Sequence, residues 1–282
     1  MTAPLARISS YTNDGLTFDV VDSGPIDGDV VLLLHGFPER ASSWDEVSAR
    51  LHAEGYRTLA PDQRGYSPGA RPRGRRSYRV DLLVGDVAAL VERAGGRAHV
   101  VGHDWGAMVA WSLAIARPDL VRSLTALSVP HPAAFVHALT RSVQGLKSWY
   151  MLAFQIPFLP ELVLSRRWRI HRRIMRGTGM SDADVDRFRS GILDHGALRG
   201  GLGWYRALPF LDRRAPTRVS VPTTMVWSDR DLFIGRASAE ASEQHVDAPY
   251  ELVVLLGVSH WIPTEVPDAA ADAILARTSS VD

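Results

Sequence analysis

Gly102-His103-Asp104-Trp105-Gly106 constrains this chain more than any other stretch of it. The apolar, β-favouring run Ala98-His99-Val100-Val101 leads in, and the helix-forming run Ala107-Met108-Val109-Ala110-Trp111-Ser112-Leu113 follows. A strand turning sharply into a helix around G-x-nucleophile-x-G is a nucleophile elbow. Its glycines are required because the turn is tight and neighbouring backbone passes too close for a Cβ. In acyl-transfer enzymes the central residue is serine, but here it is Asp104. A carboxylate in that place suits displacement at a saturated carbon, leaving an alkyl ester on the enzyme. The expectation therefore moves away from esterases and peptidases.

The segments around the elbow alternate between strand and helix patterns. Val30-Val31-Leu32-Leu33-Leu34 is a continuous apolar run, as in a strand buried on both faces of a parallel sheet. A helix is expected from near Ser43, which has capping-box spacing to Glu46, as far as Gly55. Residues 57–61 read as a strand and 62–76, rich in Gly, Pro and Arg, as a loop whose stretch 71–76 is exposed. Val80, Leu83, Val84, Val87, Leu90 and Val91 recur at helical spacing up to Gly95-Gly96. Residues 123–129 read as a strand. From Pro130-His131-Pro132 to about residue 214 the pattern is mostly helical, and alternation then resumes. Strands are expected at 223–227 and 250–256, and helices near 238–244 and 268–277. The pattern predicts an α/β fold with a mostly parallel central sheet flanked by helices. Residues 1–130 and 215–282 would form its core and 131–214 an inserted helical cap.

The formal charge of +1 argues against a nucleic-acid partner, and no stretch approaches the apolar length of a membrane span. The chain has no cysteine, which removes disulfides and thiol chemistry. A cytoplasmic enzyme is the default, the first ten residues having no apolar run like a signal peptide. Arg166-Arg167-Trp168-Arg169 with Arg172, Arg173 and Arg176 reads as a solvated cap helix in a chain with one lysine among 32 basic residues. His35, His103 and His131 lack metal-ligand spacing, and structural roles are expected for them.

A nucleophile elbow needs an acid and then a histidine later in the chain. The predicted strand 223–227 ends in Ser228-Asp229-Arg230-Asp231, and strand 250–256 is followed by Ser259-His260-Trp261. Both sites lie just past carboxyl ends of strands, where open α/β sheets place their active sites. His260 is the candidate base, oriented by an acid from the preceding strand end.

Over nearly its whole length the chain resembles the α/β-hydrolase-fold epoxide hydrolases. The resemblance is carried by His35-Gly36-Phe37-Pro38-Glu39, Asp62-Gln63-Arg64-Gly65-Tyr66-Ser67, the elbow, Trp227-Ser228-Asp229-Arg230-Asp231 and His260-Trp261-Ile262-Pro263. The first and third are shared with haloalkane dehalogenases. The resemblance implies Asp231 rather than Asp229 as the acid, and an oxyanion hole from the backbone N–H groups of Phe37 and Trp105. It also implies a cis Phe37–Pro38 peptide. Two further motifs, Tyr150 before Phe154-Gln155-Ile156-Pro157 and Gly203-Trp204-Tyr205-Arg206, imply cap tyrosines pointing at the nucleophile. Opening an epoxide creates an alkoxide that needs a proton donor, and a neutral phenol can supply one. Packing over the core would also account for Tyr150 and Tyr205.

The reading is an epoxide hydrolase acting on a small-molecule epoxide, with Asp104, His260, Asp231, Tyr150 and Tyr205 catalytic and no cofactor or metal. Phe37, Trp105, Phe154, Trp204, Leu232 and Phe233 would line the substrate pocket. The alternatives are a haloalkane dehalogenase using the same Asp-His-Asp set and a catalytically silent ligand-binding homologue. Position 37 is Phe where many dehalogenases carry an Asn halide donor, and the Arg expected beside the nucleophile in fluoroacetate-type dehalogenases is replaced by Trp105. Oligomeric state stays open, a homodimer included.

Overall fold

The computed structural model describes residues 6–166, 168–211 and 217–281, excepting the side chains of residues 166 and 168. Eight strands form one sheet in the order β1-β2-β4-β3-β5-β6-β7-β8. They are β1 (Ser10–Asn13), β2 (Leu16–Ser23), β3 (Val30–Leu34), β4 (Arg57–Pro61), β5 (Ala98–His103), β6 (Val121–Leu127), β7 (Thr223–Ser228) and β8 (Tyr250–Leu255). From β4 to β8 every pairing is parallel, whereas β1–β2 and β2–β4 are antiparallel. The β1–β2 hairpin was not among the expected strands. Its signal is Asp14-Gly15, a two-residue turn with φ of 48° and 72° at the two positions.

Alternate residues of the buried strands face opposite sides. Leu32 and Leu34 pack with α2 (Val80–Arg93) and α3 (Trp105–Ala116), and Val31 and Leu33 pack with α1 (Asp45–Ala53) and α13 (Pro267–Thr278). The capping box expected at Ser43 does not form. Residues 41–44 make a 3-10 turn, Trp44 takes the N-cap position of α1, and the Ser43 hydroxyl donates to the Arg40 carbonyl at 2.9 Å.

Between β6 and β7 the described residues include the helices α4 (Pro132–Arg141), α5 (Gln144–Lys147), α6 (Trp149–Ala153), α7 (Leu159–Arg166), α8 (Trp168–Gly177), α9 (Asp182–Phe188) and α10 (Leu198–Ala207). α11 (Arg236–Glu240) follows β7, and α12 (Ile262–Glu265) precedes α13. The expected cap end at residue 214 and Arg167 of the arginine run lie outside the described residues. Arg172 and Arg176 of α8 both pair with Asp182.

α10 sits directly on the loop after β4. A Cβ on Gly200 would lie 2.1 Å from the Gly65 carbonyl oxygen, so only paired glycines allow backbone to meet backbone here. Trp204 seals the seam from within, its indole N–H donating to the Arg64 carbonyl at 2.7 Å. Nearby, Arg75 reaches across to the Arg206 carbonyl and the Gln155 side chain, so the arginine-rich loop 62–76 is part of the contact. Among the described residues no helix is long and apolar enough to cross a membrane.

Candidate active site

Four loop positions just beyond the carboxyl ends of β3, β5, β7 and β8 converge: Phe37, Asp104, Asp231 and His260. Asp104 occupies the elbow with φ 52° and ψ −121°, a conformation that costs a non-glycine residue about 1–3 kcal/mol. The turn closes only because its glycines are bare. A Cβ on Gly106 would lie 1.9 Å from the Leu34 carbonyl oxygen, and one on Gly102 would lie 2.3 Å from that of Gly106.

The Asp104 carboxylate is buried, with its two oxygens in different company. Oδ1 accepts the Phe37 N–H at 2.8 Å, and Oδ2 faces His260 Nε2 at 3.4 Å. The Trp105 N–H is the first of α3, a position with no intrahelical acceptor. The Phe37–Pro38 peptide is cis.

His260 donates from Nδ1 to Asp231 Oδ2 at 2.6 Å, a bond between fully buried side chains. Asp231 Oδ1 accepts the N–H groups of Phe233 and Ile234 at 2.7 and 2.8 Å, so the loop that carries the acid also orients it. Asp229 is occupied elsewhere, accepting the Gly257 N–H at 2.7 Å. The backbone carbonyl of His260 accepts from Ser128 Oγ at 2.8 Å and lies 2.9 Å from His103 Nε2. His103 meets Glu39 through its other nitrogen at 3.0 Å.

These neighbours set the charge states. Burial alone disfavours imidazolium, but the Asp231 charge and the bond to Asp104 outweigh it, raising the His260 pKa to about 10. Burial likewise pushes the Asp104 carboxyl up. The His260 hydrogen bond and charge, aided by His103 and the Phe37 N–H, bring it below its ordinary value.

Tyr150 of α6 and Tyr205 of α10 roof this site. The Tyr205 ring stacks edge-on against Phe37, Trp105 and Phe154 at centroid distances of 5.5, 5.0 and 4.9 Å, and lies 6.0 Å from that of Tyr150. The Tyr150 ring lies 5.4 Å from Phe233, which itself lies 5.0 Å from His260. Burial, and next the Asp104 charge, push both phenols well above their usual value, so both are neutral donors at any working pH.

Of the expected lining residues, Phe37, Trp105, Phe154 and Phe233 belong to this ring cluster. Trp204 stands one layer behind, packed on Trp105, Tyr66 and His35. Leu232 is 53% exposed and lines a surface cleft with Arg169, Ile170, Arg173 and Ile174.

In sequence and fold the chain is similar to known proteins. A family model described as alpha/beta hydrolase fold matches residues 29–265. A Bacillus subtilis protein named AB hydrolase superfamily protein YfhM is 37% identical, covering 93% of this chain and 94% of its own. Epoxide hydrolase A of Mycobacterium tuberculosis is 32% identical over 98% of this chain and 97% of its own. The crystal structure of epoxide hydrolase A from Mycobacterium thermoresistibile superposes with a TM-score of 0.84 at 26% identity, covering 97% and 98% of the two chains. The chain belongs to the epoxide hydrolase family of the α/β-hydrolase fold.

Proposed function

We propose that this protein hydrolyses an epoxide to a vicinal diol through a covalent ester on Asp104, with residues 131–214 acting as its cap. The observation that carries the reading is the buried Asp104 carboxylate, set beside the His260–Asp231 pair and roofed by the rings of Tyr150 and Tyr205. A nucleophile for carbon and donors for oxygen are the two things that opening an epoxide requires. The names of the relatives, epoxide hydrolases over almost the full chain, support it further.

Asp104 Oδ2 attacks a ring carbon and the carbon–oxygen bond breaks, while Tyr150 and Tyr205 donate to the oxygen that leaves. Oδ1, held by the Phe37 N–H, becomes the ester carbonyl oxygen. With Asp104 now uncharged, His260 loses one of the two carboxylates that held its proton, yields that proton to the opened oxygen, which becomes a hydroxyl, and is left a neutral base. It takes a proton from water, which attacks the ester carbonyl carbon. The N–H groups of Phe37 and Trp105 stabilise the tetrahedral oxyanion, and collapse releases the diol and restores Asp104. Halide displacement by the same carboxylate is disfavoured because position 37 is Phe where many haloalkane dehalogenases carry an Asn halide donor.

The test is to trap the ester. His260→Gln treated with styrene oxide should gain one substrate mass on the peptide containing Asp104 and then stall. In ¹⁸O water, a single turnover of the wild type should place label on Asp104 and none in the first diol. Label in the first diol would refute the covalent route.

A further inference from the structure

The acid loop 231–235 is held from outside the sheet by a single turn of helix. Gln144 of α5 is completely buried and grips the loop at two backbone points. Its Nε2 donates to the Phe233 carbonyl at 2.7 Å, and its Oε1 accepts the Gly235 N–H at 2.8 Å. One turn later, half-buried Lys147 donates through Nζ to the carbonyl of Asp231 itself and reaches that of Ile234 at 3.5 Å. Lys147 is the chain's sole lysine. An ammonium suits this place, because its three donors can serve two carbonyls at different angles.

The position of this clamp within the chain gives it meaning. Tyr150 lies three residues beyond Lys147, and its ring contacts Phe233, a residue that Gln144 holds by its carbonyl. Phe233 also donates its N–H to Asp231 Oδ1 and stacks on His260. The segment that presents a proton donor therefore also fixes the backbone on which the acid rests.

We propose that Gln144 and Lys147 are positioning residues for ester hydrolysis, holding the Asp231 loop so that the His260 ring keeps its aim at the Asp104 ester. The inference rests on the covalent reading above. Carbon–oxygen bond breaking uses the Asp104 carboxylate and the tyrosines, with the His260 proton passing to the new oxygen only afterwards, whereas hydrolysis needs the His260 ring held in aim at the ester by Asp231. Loosening the loop should thus slow the second step selectively.

Lys147→Met preserves length and helix propensity but removes the charge and all three donors. With styrene oxide, rapid mixing measures ester formation and ester decay separately for wild type, Lys147→Met and Lys147→Arg. Decay should slow about 10- to 100-fold in Lys147→Met, the loss expected from a small misplacement of a catalytic group, with formation unchanged within about twofold. The ester should accumulate in intact mass spectra, and Lys147→Arg should recover most of the decay rate. Gln144→Glu sets a carboxylate against the Phe233 carbonyl and should produce the same split, which keeps the proposal testable if Lys147→Met does not fold. Equal slowing of both steps, or a decay rate equal to wild type, would overturn the clamp. Absence of any ester in the wild type would instead refute the covalent reading on which it rests.

Discussion

The tyrosine pair offers the sharpest test of what reacts at Asp104. Tyr150→Phe with Tyr205→Phe removes both hydroxyls while keeping the rings that pack against Phe37, Phe154 and Phe233. Without them the oxygen released from an epoxide would develop negative charge among aromatic rings with no donor. A hydrogen bond to a charged group contributes about 1.5–3 kcal/mol, so two lost bonds raise the barrier by about 3–6 kcal/mol. That corresponds to roughly 10²–10⁴ in rate, the range that general acid catalysis ordinarily supplies. Rapid mixing with styrene oxide and with a bromoalkane of similar size measures alkylation of Asp104 in each case. Epoxide alkylation should fall at least a hundredfold and bromoalkane alkylation should not. Undiminished epoxide opening in the folded variant would refute the role of the phenols, and halide release by the wild type faster than diol formation would reassign the substrate.

Asp104→Ala should fold, show the wild-type circular dichroism spectrum and have no turnover, since no other group is placed to form the ester. Stability should also depend on pH through His260. Its pKa is raised to about 10 from 6.5, so the stabilisation it brings is complete below about pH 6.5 and is lost as pH rises through 10. Urea midpoints between pH 7.5 and 10.5 should fall for the wild type and fall much less for His260→Gln; parallel declines would refute the assignment. Gly200→Ala should lower stability by about 1–3 kcal/mol, despite alanine's better helix propensity, because its methyl meets the Gly65 carbonyl. A rise in Tm would show that the seam can relax.

The order of strands and helices was legible because buried parallel strands are nearly all apolar and each is followed by periodic apolar spacing or a glycine stop. The hairpin β1–β2 was missed because its strands are half exposed and mixed in composition, although Asp14-Gly15 marked the turn. Ser43 and Glu46 matched a capping box by spacing alone, and the 3-10 turn at residues 41–44 took that place. At the site, residues with unusual chemistry at motif positions could be named from sequence. Asp231 was separated from Asp229 only by resemblance, whereas the structure distinguishes them by partners, His260 for one and the Gly257 N–H for the other. The hold of Gln144 and Lys147 on the acid loop had no signal in the sequence. Each bond joins residues far apart in the chain, and neither residue type announces such a contact.

His260 stands between two carboxylates, 2.6 Å from Asp231 and 3.4 Å from Asp104, and in the proposed mechanism this arrangement closes the proton balance of the first half-reaction. The resting site holds two negative charges and one positive. Esterification of Asp104 removes a negative charge, and an opened epoxide needs one proton to become a hydroxyl. The proton that His260 no longer holds tightly is equal in number to the one the new oxygen requires. Ring opening can therefore finish with no net uptake from the surrounding buffer, the acid equivalent having been loaded before substrate arrives. Water supplies the replacement when it cleaves the ester, returning one proton to His260 as it completes the diol.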